Sequence, residues 1–187
     1  MRQLPRFLLL ALLLASAPAL HAERADRSKP VNLQAERGYF DDRLKATVLE
    51  GRARLTQGTL LITASKLVAT QDAEGFHKGV ATGGEGGLAR FRQKREGRDD
   101  YVEGEAERIE YDARTDKIRL FQRALTRNGN DETRGEYIEY DGYSETYTVT
   151  NSADGKTSKD GNGLVSVTIW PRSAASTPAA SEPAARP

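Results

Sequence analysis

The chain has 187 residues, with 28 Lys and Arg against 27 Asp and Glu, two His and no Cys. That balance provides no strong field for nucleic acid or an anionic membrane surface. The missing Cys excludes disulfides and thiol chemistry, and two His, one of them in the leader, exclude a multi-histidine metal site.

Met1 to Ala22 carries Arg2 and Arg6, the apolar run Phe7 to Ala15, and then small residues ending in Ala22. This is the pattern of a secretory signal peptide. Ser16 and Pro18 interrupt the run before it reaches the roughly 20 apolar residues of a membrane span. Cleavage is expected after Ala22, with Ala19 the alternative. The remaining 165 residues, 23–187, are enough for one domain with its own core. No Cys follows the apolar run, so a lipid anchor is not expected, and the expected destination is the periplasm.

From about Pro30 to Trp170 short alternating segments are punctuated by Gly, Asn and Asp at about ten-residue intervals, the mark of an all-β domain. Alternation assigns Val31 and Leu33 to an inward face, followed by Thr47, Leu49, Gly51, Ala53 and Leu55. Glu50 to Thr70 reads as strand, tight turn and strand (Leu60, Ile62), ending in a stretch, Leu67 and Ala69, of no clear type. Ala89, Phe91, Ile109, Tyr111, Ile118, Leu120, Ile138, Tyr140, Tyr147 and Val149 continue the inward face. Val165, Val167 and Ile169 close it. Arg52, Arg54, Glu110, Lys117, Arg119 and Glu139 face outward.

The segments repeat. "AERGYFD" from Ala35 resembles "AERIEYD" from Ala106 and "GEYIEYD" from Gly135, with a weaker copy, "ASKLVAT", from Ala64. Ala35 to Ala64 and Ala106 to Gly135 are each 29 residues apart, whereas Ala64 to Ala106 is 42, which predicts an insertion around Thr82–Gly87 and Lys94–Asp100. A hairpin with one apolar face is not stable alone. Stacked hairpins bury that face and give a quasi-one-dimensional β architecture.

His77, the one histidine beyond the leader, falls in the polar segment "DAEGFHKG", read as a turn with no chemical role. The acidic stretch "DDYVEGEAERIEYD" holds Glu103, Glu105 and Asp112, and two carboxyls at the proper separation suffice for a glycosidase. Glu103, Glu105 and Glu107 share one strand parity and alternate with Arg98, Arg108 and Arg114, so a solvated, cross-paired outer face accounts for them. Neither Gly-rich stretch, "TGGEGG" nor "GKTSKDGNG", has the strand-to-helix context of a phosphate loop. Ser173 to Pro187 is Ala, Ser and Pro without apolar periodicity, the composition of a disordered tail. The expected organisation is leader 1–22, β domain 23–172 and tail 173–187.

"LEGRARLTQGTLLITASKLVAT" (Leu49 to Thr70), "VEGEAERIEYDARTDKIRLFQRALTRNGNDETRGEYIEYD" (Val102 to Asp141) and "VSVTIWP" (Val165 to Pro171) resemble the OstA-like family, over about Lys29 to Arg172. A leader in place of a membrane anchor and the lack of a C-terminal barrel point to its soluble bridge members. The resemblance implies a twisted, open, V-shaped β-jellyroll of antiparallel strands whose interior carries the acyl chains of lipid A, the membrane end of lipopolysaccharide. No cofactor and no catalytic residue is implied. It makes lipid-binding residues of Val31, Leu33, Leu49, Leu55, Leu60, Ile62, Phe91, Ile109, Tyr111, Ile118, Leu120, Ile138, Tyr140, Val165 and Val167, with room for chains beside Gly51, Ala53, Ala69 and Ala89. Its implied partners are an inner-membrane-anchored LptC-like protein, an outer-membrane LptD-like receptor and further copies of the chain joined head to tail by edge strands. Two other readings remain: a β-solenoid carbohydrate-active enzyme using Glu103, Glu105 or Asp112, and a scaffold that binds only protein.

Overall fold

The structure, a computed structural model, describes residues 26, 28–152 and 163–171. The expected leader 1–22 and tail 173–187 lie outside the described residues. Twelve antiparallel strands follow one another: β1 (Asn32–Gln34), β2 (Arg37–Asp41), β3 (Ala46–Gln57), β4 (Leu60–Asp72), β5 (Gly75–Thr82), β6 (Ala89–Lys94), β7 (Tyr101–Ala106), β8 (Arg108–Asp112), β9 (Lys117–Asn128), β10 (Asp131–Asp141), β11 (Thr146–Thr150) and β12 (Ser166–Thr168). A 3-10 turn, Glu85–Gly87, stands in the connection from β5 to β6.

Four long strands, β3, β4, β9 and β10, bend and serve two walls. Their segments 46–50, 66–72, 117–121 and 137–141 join β2, β5, β8 and β11 in the first wall. The segments 53–57, 60–64, 124–128 and 131–135 join β1, β6, β7 and β12 in the second. The walls meet at a crease and form a V, so the expected stack of antiparallel hairpins is present but folded lengthwise. The stretch Leu67 to Thr70, of no clear type in the sequence, is ordinary strand in β4. The 13-residue excess expected around Thr82–Gly87 and Lys94–Asp100 falls on either side of β6. It supplies the hairpin β6–β7, which bridges β4 and β9 in the second wall.

The crease explains part of the repeat. On β3, Gly51 and Arg52 lie between the paired positions Glu50 and Ala53, while the partner strand has only Ser65 there. On β9, Gln122 and Arg123 stand opposite the single Glu136 in the same way. Both sites are two-against-one bulges, the device that bends a strand and sharpens its twist. All four bulge residues have positive φ, from 45° to 79°, a conformation that costs a non-Gly residue about 1–2 kcal/mol. Each is held from the preceding corner. Glu36 N–H donates to Gly51 O at 2.9 Å and Glu107 N–H to Gln122 O at 3.0 Å. The Glu36 carboxylate pairs with Arg52 and that of Glu107 with Arg123, each at 2.7 Å. The two bulges are 71 residues apart, the same offset as the AER motifs at Ala35 and Ala106.

The terminal Asp of each strong repeat opens a hairpin turn. Asp41 accepts the amides of Arg43 and Leu44, Asp112 those of Arg114 and Thr115, and Asp141 those of Tyr143 and Ser144, at 2.9–3.1 Å. Lys45, Asp116 and Glu145 then take positive φ and return the chain. These turns line the free rim of the first wall, opposite the crease.

Candidate functional site: the slot between the walls

Strand pairing aligns the inward side chains in rows across each wall. In the first wall one row runs Gly38, Leu49, Leu67, Ala81, Ile109, Leu120, Ile138, Val149. A second runs Phe40, Thr47, Ala69, Gly79, Tyr111, Ile118, Tyr140, Tyr147 through the same pairings. In the second wall the row is Leu33, Leu55, Ile62, Phe91, Gly104, Thr126, Thr133, Val167. The walls face each other through these rows, with Phe91 stacked on Tyr140 at 6.5 Å between ring centroids.

Eleven of the fifteen residues expected to touch lipid, from Leu49 to Tyr140, are buried, none more than 5% exposed, and Val31 and Leu33 pack half-buried against them. The C-terminal pair departs from the expected inward burial. Val165 and Val167 are 43% and 57% exposed, and Ile169 is 75% exposed. Val167 is on the inward row, paired with Thr133, but the first wall does not extend over it. Phe40 is likewise uncovered at the other end. Among the described residues, the continuous lining therefore stops short of both ends of the sheet.

The small residues Ala53, Ala69 and Ala89, expected to leave room for chains, are themselves buried. Ala53 pairs with Ala64, Ala89 with Ala106 and Ala124 with Gly135, all next to the crease. These alanines are buried. Gly51 is a bulge residue whose missing Cβ leaves space for Glu36. Ala69 lies in the filled second row.

Alternation missed Val102, which is fully buried. Its strand has Gly104 and Ala106 as the other inward residues, and Glu103 and Glu105 dominate the pattern. The parity of those glutamates was the usable signal. Gly104 has no side chain because Phe91 and Leu120 occupy the place of its Cβ. Phe121, Leu125 and Tyr137 are buried on the outer side, where the Arg108 guanidinium covers the Phe121 ring at 3.8 Å.

The outer faces are laced with ion pairs. Glu103 pairs with Arg92 and Glu105 with Arg90, both at 3.1 Å, and Glu110 meets Arg108 and Lys78. Asp112 serves its turn, and the amides of Thr115 and Arg114 hold its pKa down against the opposing effect of burial. Burial raises the pKa of Glu139, but hydrogen bonds from Lys117 and Arg119 outweigh it and lower the net value. Every carboxylate of the alternative glycosidase site thus has a structural partner. His77 lies in β5 rather than in a turn, with Nδ1 3.5 Å from an Asp72 carboxylate oxygen.

At the free rims, polar side chains cross from wall to wall. Tyr111 donates its hydroxyl proton to Gln57 Oε1 at 3.2 Å. Arg95, in the β6–β7 loop, reaches Glu145 in the β10–β11 turn at 2.6 Å. Nearby, burial pushes the Tyr147 hydroxyl up to about 12, with Arg95 opposing and Glu145 assisting. Tyr140, 4.9 Å from it between ring centroids, is raised for the same first reason.

Residues 32–146 match the family model described as LptA/(LptD N-terminal domain) LPS transport protein. The lipopolysaccharide export system protein LptA of Escherichia coli K12 is 29% identical over 130 residues, covering 70% of this chain and 69% of that protein. The protein of the same name from Haemophilus influenzae is 24% identical over 136 residues, 73% of this chain and 78% of its own length. The crystal structure of LptH from Pseudomonas aeruginosa, the LptA homologous periplasmic component of the lipopolysaccharide transport device, superposes with a TM-score of 0.70 at 22% identity. The match covers 79% of this chain and 99% of LptH, and it bears out the twisted jellyroll. The family match spans well over half the chain, and the chain belongs to the LptA/(LptD N-terminal domain) family of lipopolysaccharide transport proteins.

Proposed function

We propose that the chain is a periplasmic lipopolysaccharide carrier, and that it moves its cargo toward the outer membrane without a catalytic step. The observation that supports this most is the pair of facing apolar rows on strands whose outer sides are ion-paired, in a V uncovered at both ends. Each methylene taken from water contributes about 0.8 kcal/mol. A slot that shelters even part of several acyl chains therefore offsets much of the cost of crossing an aqueous space. The lining would be the eleven buried residues from Leu49 to Tyr140 together with Val31 and Leu33. Val165 and Val167 would take part only when another molecule covers them.

The uncovered ends suit head-to-tail addition. β12, whose residues are all exposed, and β1 with β2 at the other end present strand edges, and edge pairing between unlike ends need not close. In this reading copies of the chain connect to a membrane-anchored LptC-like protein on one side and an LptD-like receptor on the other.

Native mass spectrometry of protein purified from periplasm tests the carrier reading. A bound mass matching lipopolysaccharide is the expected result. Protein free of lipid at every stage of a gentle purification would favour a scaffold that binds only protein.

A further inference from the structure

The rows that would carry acyl chains are already full. Leu55, Ile62, Leu67, Ile109, Ile118, Leu120 and Ile138 are each at most 1% exposed, so their side chains occupy the space between the walls. A chain laid alongside them requires the walls to part. On the crease side, backbone hydrogen bonds and two bulges tie the walls together. On the other side, among the described residues, no strand pairing joins the rims, and side chains link them.

The strongest of these ties is at Arg95. Within its own wall the guanidinium is gripped by Asp100 Oδ2 at 3.2 Å and Asn128 Oδ1 at 2.9 Å. Its remaining arm crosses to Glu145 Oε2 at 2.6 Å. The Arg95 side chain is 11% exposed and that of Glu145 22%, so the pair is largely shielded from solvent. A shielded pair with this geometry is lost at considerable cost when one partner is removed. Arg95 is thus preorganised by its own wall to hold the opposite one.

Building on the carrier reading, we propose that Arg95 and Glu145 form a clasp that keeps the slot shut when it holds no cargo, and that amphiphile loading proceeds by release of this clasp and splaying of the walls about the crease. The closed form competes with binding, because apparent affinity falls in proportion to the fraction of molecules that are open. Loosening the clasp therefore speeds loading and tightens apparent affinity together. Tyr111 and Gln57 mark a second, neutral tie along the same opening.

The sequence contains no Cys, so nitroxide labels at Asp99→Cys and Ser144→Cys report the separation of the rims without background. Glu145→Gln and Arg95→Gln should both lengthen or broaden that distance. Asp100→Asn, which removes only Arg95's partner in its own loop, should leave it short. In stopped-flow mixing with fluorophore-labelled lipopolysaccharide, Glu145→Gln should load about threefold to tenfold faster, with apparent affinity rising by a similar factor. Adding lipopolysaccharide to the otherwise unaltered labelled protein should itself lengthen the distance. Unchanged distance and loading rate in both clasp variants would overturn the clasp. A longer distance in those variants, with no lipopolysaccharide bound by any form, would support the clasp and defeat the carrier reading on which its role rests.

Discussion

Crease and mouth hold the same two walls, and they do so by different means. At the crease the chain itself crosses: four strands pass from wall to wall, two bulges set the bend, and Glu36 and Glu107 fix the strained residues in both halves. At the mouth, among the described residues, side chains meet, Tyr111 with Gln57 and Arg95 with Glu145, and these ties are unlike one another. A backbone joint is repeated because it is structural, and it cannot be released without unfolding. A side-chain joint can open and close while every strand stays paired.

The largest loss is expected between the two regions. Leu120 is fully buried in the first wall's row, and Leu120→Asp places a carboxylate among apolar side chains with no partner, at a cost of roughly 4 kcal/mol. Urea titration of the folded protein measures it, and a loss below 1 kcal/mol would mean that the slot is already wet. At the crease, Gly51→Val puts a β-branched residue at φ 79° against the Glu36 side chain and should cost roughly 2 kcal/mol. A neutral effect there would show that the bulge is not the joint. At the mouth, Tyr111→Phe removes one hydrogen bond and should cost about 1 kcal/mol, with hydrogen exchange rising at the rims and not at the crease. Uniform exchange along the strands would erase the distinction between the two regions.

The smallest effect is acidic. Asp112 and Asp141 have lowered pKa values in the folded rim turns. Asp141 is lowered chiefly by the Ser144 amide, and Asp112 by its turn amides against burial. Their contribution to stability is present above the ordinary Asp value of about 3.9 and is lost as pH falls through the lower folded values. Asn keeps the turn but does not titrate. Melting temperatures from pH 5 to 2 should therefore fall less steeply in Asp112→Asn with Asp141→Asn than in the parent, and parallel curves would remove the rim turns from the acid response.

The two regions were not equally legible in the sequence. Strand alternation and the AER repeats located the walls, and the repeat carried the crease within it, because Arg52-Ala53 and Arg123-Ala124 recur at the same 71-residue offset as Glu36 and Glu107. The bend itself went unread, since Gln122 and Arg123 are not residues that announce positive φ. Arg95 and Glu145 are 50 residues apart and belong to different hairpins, so no local pattern joins them. The inward parity of Val167 was readable from alternation. Its exposure was not, because that depends on how far the opposite wall extends.

Photocrosslinking tests the central claim, that the inner rows carry lipid, most directly. A photoreactive residue is placed at Ile62, Ile118 or Ile138 on the inner rows, and at Arg54, Arg119 or Glu139 on the outer faces of β3, β9 and β10. After irradiation in cells, lipopolysaccharide adducts are expected from the inner three positions and not from the outer three. Equal labelling from both sets, or labelling only from outside, would contradict the account.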